Sequence, residues 1–233
     1  MDLPVVLATA NPDKAREICE ILTEVIGSPL AAWALTFADD TIAFYVTTPE
    51  RLVAERAEIP PVSRRPDVEE TGATLEENAR IKARGVAAVL GIPTIADDTG
   101  LEVDALAGAP GVRAARYAGV DATYADNVRK LLAELDHASA ERDDRRTARF
   151  ATVAIAHWPD GREVATRGEV EGVITRAPRG GGGFGYDPVF APVEGDGRTF
   201  AEMTIDEKHR LSHRGRAFRA LASALAGTGG GGT

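Results

Sequence analysis

The stretch Ile95-Ala96-Asp97-Asp98-Thr99-Gly100 decides the fold. Thr94 to Asp97 reads as a short buried strand aimed at a loop. A helix comes just before it: Thr74 and Glu77 make a capping box, the helix runs to about Leu90, and Gly91 stops it. Two carboxylates at the end of an apolar strand are unusual, because a lone buried charge is costly. A hard cation such as Mg²⁺ offsets that cost, taking oxygen ligands from carboxylates and phosphate. In α/β proteins, ligands collect in crevices beyond the carboxyl ends of strands. The acidic pair sits where such a ligand belongs.

Outward from this stretch the pattern repeats. Toward the N-terminus, Leu3 to Ala8 reads as a buried strand, and Asn11 caps a helix that begins at Pro12. Ala15, Ile18, Leu22 and Val25 continue that helix with an apolar stripe. Residues 29–66 are less legible. They hold an apolar run (Ala31 to Phe37), a β-branched and aromatic run (Thr41 to Thr48), a helix over Pro49 to Glu58 and a Pro-rich exit. Toward the C-terminus a helix fits Thr123 to Leu135, and the charged segment His137 to Arg146 reads as a solvated loop. Arg149 to Trp158 is a strand, Pro159-Asp160-Gly161 turns into another, and Glu169 to Thr175 is a further strand. Arg179 to Pro192 is a glycine-rich loop. Thr204 and Glu207 cap a helix to about Leu225, with a break near Ser212. Residues 1–226 read as a single domain and 227–233 as a disordered Gly-rich tail. Strands alternating with helices, then clustered, predict an α/β protein with a mixed sheet.

Bulk properties narrow the function. The chain has 233 residues, 44% hydrophobic and 27% charged, enough for a substantial core. Its one cysteine, Cys19, allows no internal disulfide, which fits a reducing, cytoplasmic setting. No basic leader or long apolar run suggests a signal peptide or a membrane partner. A net charge of −9 argues against a nucleic-acid partner but leaves room for a small polyanion held by a few local cations and a metal.

Four further segments carry chemistry. Thr9-Ala10-Asn11-Pro12-Asp13-Lys14 is a strand-to-helix turn whose backbone N–H groups and helix dipole suit phosphate, with Lys14 as counter-charge. It lacks the glycines and Lys-Ser/Thr pair of a Walker A loop. Glu69-Glu70-Thr71-Gly72 precedes a helix on which Asn78 and Lys82, four apart, share a face. Gly183-Phe184-Gly185-Tyr186-Asp187-Pro188 sets two aromatics between glycines, the composition of a base-stacking platform. Lys208, with Ser212-His213-Arg214, gathers hydrogen-bond donors late in the chain. Each segment alone also reads as ordinary scaffold: a capped helix, solvated acids, a turn with core aromatics, surface helix charge.

Taken together and in order, these segments resemble the inosine triphosphate pyrophosphatase family (dITP/XTP pyrophosphatases). The most characteristic stretches are Ala96 to Leu106, Gly108 to Val112, Ala115-Arg116-Tyr117, Phe184 to Pro188 and Ser212 to Gly215. The resemblance implies two lobes around a long mixed β-sheet with flanking helices, a nucleotide cleft between the lobes, and a homodimer. It implies that Thr9, Ala10, Asn11, Pro12, Asp13 and Lys14 hold the triphosphate together with Lys82. It assigns Glu70 and Asp98 to Mg²⁺, and Asp98 to the proton acceptor. Thr99 lies beside the substrate. Phe184 stacks on the base, Gly185, Tyr186 and Asp187 line its pocket, and Lys208, His213 and Arg214 close over it. Ala10, Thr99 and Leu75 stand where the family favours Gly, Ser and Phe. The segment 29–66 is longer than usual, and is expected to form a strand-and-helix addition on the outer edge that can be deleted over residues 31–60 without loss of chemistry.

The implied reaction is hydrolysis of non-canonical purine nucleoside triphosphates (ITP, dITP, XTP) to monophosphate and pyrophosphate, cleansing the nucleotide pool. A donor such as Arg214 or His213 facing position 6 would accept hypoxanthine or xanthine and reject adenine. Two other readings remain open here: a nucleotide-binding regulator without turnover, and a pyrophosphatase of other modified nucleoside triphosphates.

Overall fold

The computed structural model describes residues 3–38, 40–55, 59, 62–66, 68–138 and 146–228. Among the described residues, eight strands form one sheet, and six helices accompany it: β1 (Val5–Leu7), α1 (Pro12–Ile26), β2 (Ala31–Phe37), β3 (Asp40–Thr47), α2 (Pro49–Glu55), α3 (Leu75–Leu90), β4 (Thr94–Val103), β5 (Pro110–Gly111), α4 (Tyr124–His137), β6 (Thr147–His157), β7 (Glu163–Ile174), β8 (Phe190–Pro192), α5 (Ile205–Leu211) and α6 (His213–Thr228). The strand order is β2-β3-β1-β4-β6-β7-β8, with β5 on β4. The sheet is mixed as expected, since β1 runs parallel to β4 and antiparallel to β3.

The local chemistry places these elements. Asn11 caps α1 and Gly27, at φ +71°, ends it; a left-handed residue there is cheap only for glycine. Thr74 and Glu77 form the expected capping box of α3, and Gly91 at φ +67° terminates it. The buried stripe of α1 runs Ala15, Ile18 and Leu22 and continues to the partly buried Ile26, whereas Val25, read as its next member, is 37% exposed. A spacing of four follows the 3.6-residue turn better than the spacing of three.

The chain divides into two compact units. The first comprises Met1–Asp98, Val153–Arg167 and Ala217–Thr233. Its core gathers Leu7, Ile18, Leu22, Val46, Ile95, Ala154, Phe218 and Leu221. The second comprises Thr99–Thr152 and Gly168–Arg216, with Leu101, Leu131, Phe150, Ile174, Phe190 and Phe200 in its core.

Several expectations need correction. β4 does not stop at Asp97; it continues to Val103, so the acidic pair lies inside a strand. The two strands expected after Gly161 are one, β7, whose later residues alternate buried and half-exposed or exposed. Arg146, read as part of a solvated loop, is fully buried: its guanidinium donates to the carbonyls of Ile174 (2.8 Å) and Thr175 (3.1 Å). Both carbonyls lie at the end of a strand, and a planar multi-donor group can serve the two at once. Segment 29–66 is only partly an outer addition. β2 is the sheet edge, but β3 lies between β2 and β1, and its Val46 belongs to the first core. Deleting residues 31–60 therefore uncovers β1, contrary to the expectation. α6 extends to Thr228, past the expected start of the tail. Residues 56–58 of the expected second helix, 60–61 of the Pro-rich exit, 139–145 of the charged loop and 229–233 of the tail lie outside the described residues.

Cys19 sits on the buried side of α1, and burial, followed by the neighbouring Glu20 charge, pushes its thiol up to about 11. Only the thiolate reacts, so at pH 8 about one molecule in a thousand is competent even before access is considered. The folded protein is expected to resist a thiol-specific disulfide reagent at pH 8 and to react fully in guanidinium chloride. Rapid labelling of the native protein would contradict this packing of α1.

Candidate active site

The first unit builds a charged group around β4. Successive strand residues point to opposite faces, so Asp97 and Asp98 cannot share one cation symmetrically. Asp97 meets Lys14 of α1, Nζ to Oδ1 3.3 Å, and Asp98 meets Lys82 of α3, Nζ to Oδ1 3.0 Å. Glu70 approaches the same Lys82 ammonium at 3.4 Å. Asn78 ties the group together: its Nδ2 donates to Asp98 Oδ2 (3.3 Å), and its Oδ1 accepts the Gly72 N–H (2.8 Å). A Cβ at residue 72 would lie 2.7 Å from that same Oδ1 and 2.6 Å from the Glu77 Cβ, so only glycine lets the Glu70 loop approach the helix. On the other side of α3, Arg80 and Arg84, one turn apart, both donate to Glu163 at the start of β7 (3.1 and 2.8 Å). That anchor helps fix the rotation of α3, and with it the face carrying Asn78 and Lys82.

Electrostatics follow from the burial. Burial raises the Asp98 pKa; Lys82 works against it, Glu70 adds to it, and the carboxyl ends above its ordinary value. Burial also acts to lower the Lys82 pKa, but Asp98, Glu70 and Asp97 outweigh it and the ammonium stays charged. Three acids, Glu70, Asp97 and Asp98, thus face two lysines. A polyphosphate entering this group needs additional positive charge.

The turn before α1 differs from expectation in its reason. Asn11 Oδ1 accepts the N–H groups of Asp13 (2.9 Å) and Lys14 (3.2 Å), Ala15 N–H bonds the Asn11 carbonyl (3.0 Å), and Pro12 has no N–H. The first-turn donors are therefore taken by the helix's own cap. Thr9 contributes by accepting the Asn11 N–H at 3.1 Å, and Ala10 is exposed between them.

The second unit builds an aromatic and cationic group. Phe184 is half-buried, with Lys208 Nζ 5.0 Å and Arg214 Cζ 5.3 Å from its ring centre. Asp187 accepts both the Phe184 N–H (2.8 Å) and the Lys208 ammonium (2.8 Å), so it clamps the loop as much as it lines it. Gly183 has φ +67°, and a Cβ there would lie 2.1 Å from an Asp187 oxygen. Gly185, at φ +64°, takes the second left-handed step of the loop. Tyr186, expected beside the base, is 5% exposed in the core with its hydroxyl donating to the Ala114 carbonyl at 2.9 Å. Lys208, His213 and Arg214, expected to close over a base, are all buried, and the first and last of them border the Phe184 ring. The His213 ring stacks on Phe150 at 4.3 Å and 11°. Ser212, in extended geometry, breaks α5 from α6 and accepts the Gly215 N–H, presenting His213 and Arg214 at the start of α6.

Arg214 donates to the Thr99 hydroxyl (3.1 Å), which pairs with Thr152 at 2.7 Å. Thr152 lies in the apolar run of β6, where no local pattern marks it. The sequence pattern assigns Asp97 no role of its own within the acidic pair, although strand alternation calls for its own cation. Asn78 was placed on the right face of α3, and only the fold reveals that it bridges Glu70's loop to Asp98.

Lys82→Met leaves the Asp98 carboxylate without its ammonium. Removing one partner of such a buried pair costs about 3 kcal/mol, and adding Asp98→Asn in the same chain is expected to recover most of it. Urea unfolding of the two single variants and the double variant checks this. A Lys82→Met protein as stable as wild type would mean that Asp98 is satisfied by other groups.

The sequence profile of the Ham1 family matches residues 5–224. A dITP/XTP pyrophosphatase of Thermus thermophilus is 46% identical over 222 residues, covering 95% of this chain and 91% of that protein. A second protein of the same description, from Shigella flexneri, is 44% identical over 223 residues, covering 95% and 97%. Among solved structures, a HAM1 protein from Coxiella burnetii matches with a TM-score of 0.69 at 38% identity, over 95% of this chain and 98% of that one. The strand that carries the acidic pair, the lysines that meet it and the glycine-flanked aromatic loop all fall within the matched span, and the chain belongs to the Ham1 family.

Proposed function

We propose that this protein hydrolyses non-canonical purine nucleoside triphosphates, ITP, dITP and XTP, to nucleoside monophosphate and pyrophosphate in a Mg²⁺-dependent reaction. The observation that carries the reading is the convergence of Glu70 and Asp98 at Lys82, with Asn78 on Asp98 and Lys14 on the adjoining Asp97. The descriptions of the relatives as dITP/XTP pyrophosphatases support it.

The donor set suits a hard divalent ion that arrives with its nucleotide. Two carboxylates meet one ammonium, and among the described residues no three His, Cys, Asp or Glu side chains are grouped to hold a metal alone. Mg²⁺ is commonly bound by one or two carboxylates plus substrate phosphates. Glu70 and Asp98 would hold it, and when bound it supplies neutralisation of the phosphate charge and a more acidic water. The chain's own residues do the rest. Lys14 and Lys82 attract the polyphosphate and stabilise pyrophosphate as it leaves, since the charge develops there. Asp98 orients the attacking water or takes its proton. Asn78 keeps Asp98 in register by holding its second oxygen.

For the base, Phe184 offers a ring face and Arg214 a fixed donor, its guanidinium tied to Thr99. A 6-oxo purine presents an acceptor to such a donor and adenine presents an amino group, a mismatch that discriminates strongly when buried. We further infer a homodimer from the family resemblance, and a cytoplasmic setting from the buried free thiol of Cys19. The charge of −9 speaks against a nucleic-acid partner, and no described helix is long and apolar enough to cross a membrane.

Pyrophosphate release from ITP, dITP, XTP, GTP, dUTP and ATP tests the reading. Turnover is expected to favour the first three, to vanish with a chelator and to return with Mg²⁺. Asp98→Asn is expected to fold and to lose at least about 10²-fold in kcat, the usual cost of losing a general base. Tight nucleotide binding without release by wild type, or near-normal turnover by Asp98→Asn, would contradict it.

A further inference from the structure

Tyr124 opens α4 as its first residue. The cap is made by its neighbours: Thr123 Oγ1 accepts the Asp126 N–H (3.2 Å), and Asp126 accepts the Thr123 N–H (2.9 Å). The ring is 41% exposed, so it is not a core residue of the second unit. Its centre lies 5.9 Å from that of Phe184, with the planes tilted by 34°. Phe184 is the ring that also has Lys208 and Arg214 beside it. An exposed aromatic next to a half-exposed aromatic, with two cations adjoining, is the composition of a surface that receives a flat, electron-rich ligand.

Size gives the second ring a purpose. A purine is a fused bicycle, broader than one phenyl ring, so Phe184 alone leaves part of it without a stacking partner. We propose that Tyr124 belongs to the base-binding surface, extending the Phe184 platform and thereby favouring purines. The identity of the base rests on the proposed function; the participation of Tyr124 rests on the ring geometry. The contact is through the ring face, so the phenol hydroxyl is not needed. The position also lends itself to a clean test, because the capping box that starts α4 survives any substitution at 124.

Three full-length proteins decide the matter: wild type, Tyr124→Ala and Tyr124→Phe. Tyr124→Ala is expected to raise the KM for ITP and the Kd for IMP about tenfold, toward the lower end of what base–aromatic stacking contributes. Its kcat should stay within about twofold, because the phosphate end is untouched, and its thermal midpoint and Kd for pyrophosphate should match wild type. Tyr124→Phe should behave as wild type. An unchanged IMP affinity in Tyr124→Ala overturns the proposal, as does an equal loss of pyrophosphate affinity or a fall in thermal midpoint that accounts for the effect. If wild type binds IMP but releases no pyrophosphate from ITP, the proposed activity fails while the IMP comparison still decides the role of Tyr124. A wild type that neither binds IMP nor releases pyrophosphate from ITP overturns both.

Discussion

Two carboxylates stand next to each other in the interior of a buried strand, and each is held by a lysine from a different helix. Asp97 is 2% exposed and Asp98 6%, where an unpaired charge would be untenable. The pairing with Lys14 and Lys82 constrains most of what surrounds it. α1 must start one short turn after β1 so that Lys14 reaches Asp97. α3 must present Lys82 and Asn78 together, which needs its capping box, its anchor on Glu163 and a glycine at 72. The pairs are not optimised for stability alone, since Glu70 crowds the same ammonium and helps raise the Asp98 pKa. The group thus holds one carboxylate more than it has lysines.

The second group follows a related logic with less charge. Asp187 accepts from a backbone N–H and from Lys208, which fixes the loop that holds Phe184. Arg214 is fixed through Thr99, and Thr99 through Thr152. Each donor near the aromatic ring therefore has its orientation set before a ligand arrives. Preorganised donors of this kind discriminate by leaving a mismatched partner unsatisfied. Asp98 and Thr99 are consecutive residues of β4, so the chain links the acidic group to the hydroxyl that holds Arg214 through one peptide bond.

Much of this was legible from residue order. The capping boxes at Thr74 and Thr204, the Asn11–Pro12 helix start and the glycine stops mark local events that depend only on neighbours along the chain. The mixed sheet followed from strands alternating with helices. What stayed hidden depended on partners far away in sequence. Arg146 looks solvated among charged residues until the carbonyls of residues 174 and 175 arrive beside it. The acidic pair looks like a strand end because lysines from two helices are needed to hold it inside a strand. The first-turn donors of α1 look available for phosphate until Asn11 is seen to occupy them. Tyr186 reads as a base contact from its place two residues after Phe184, yet its side chain is buried in the second core, where its hydroxyl donates to the Ala114 carbonyl. Thr152 has no signal at all beyond its polarity in an apolar strand.

The central claim is that Asp98 and its companions direct water to the innermost phosphate of a nucleoside triphosphate. Single-turnover hydrolysis of ITP in heavy-oxygen water, with mass analysis of both products, tests it most directly. The account predicts that the label enters IMP and is absent from pyrophosphate. Label in the pyrophosphate, or release of orthophosphate in its place, would contradict it.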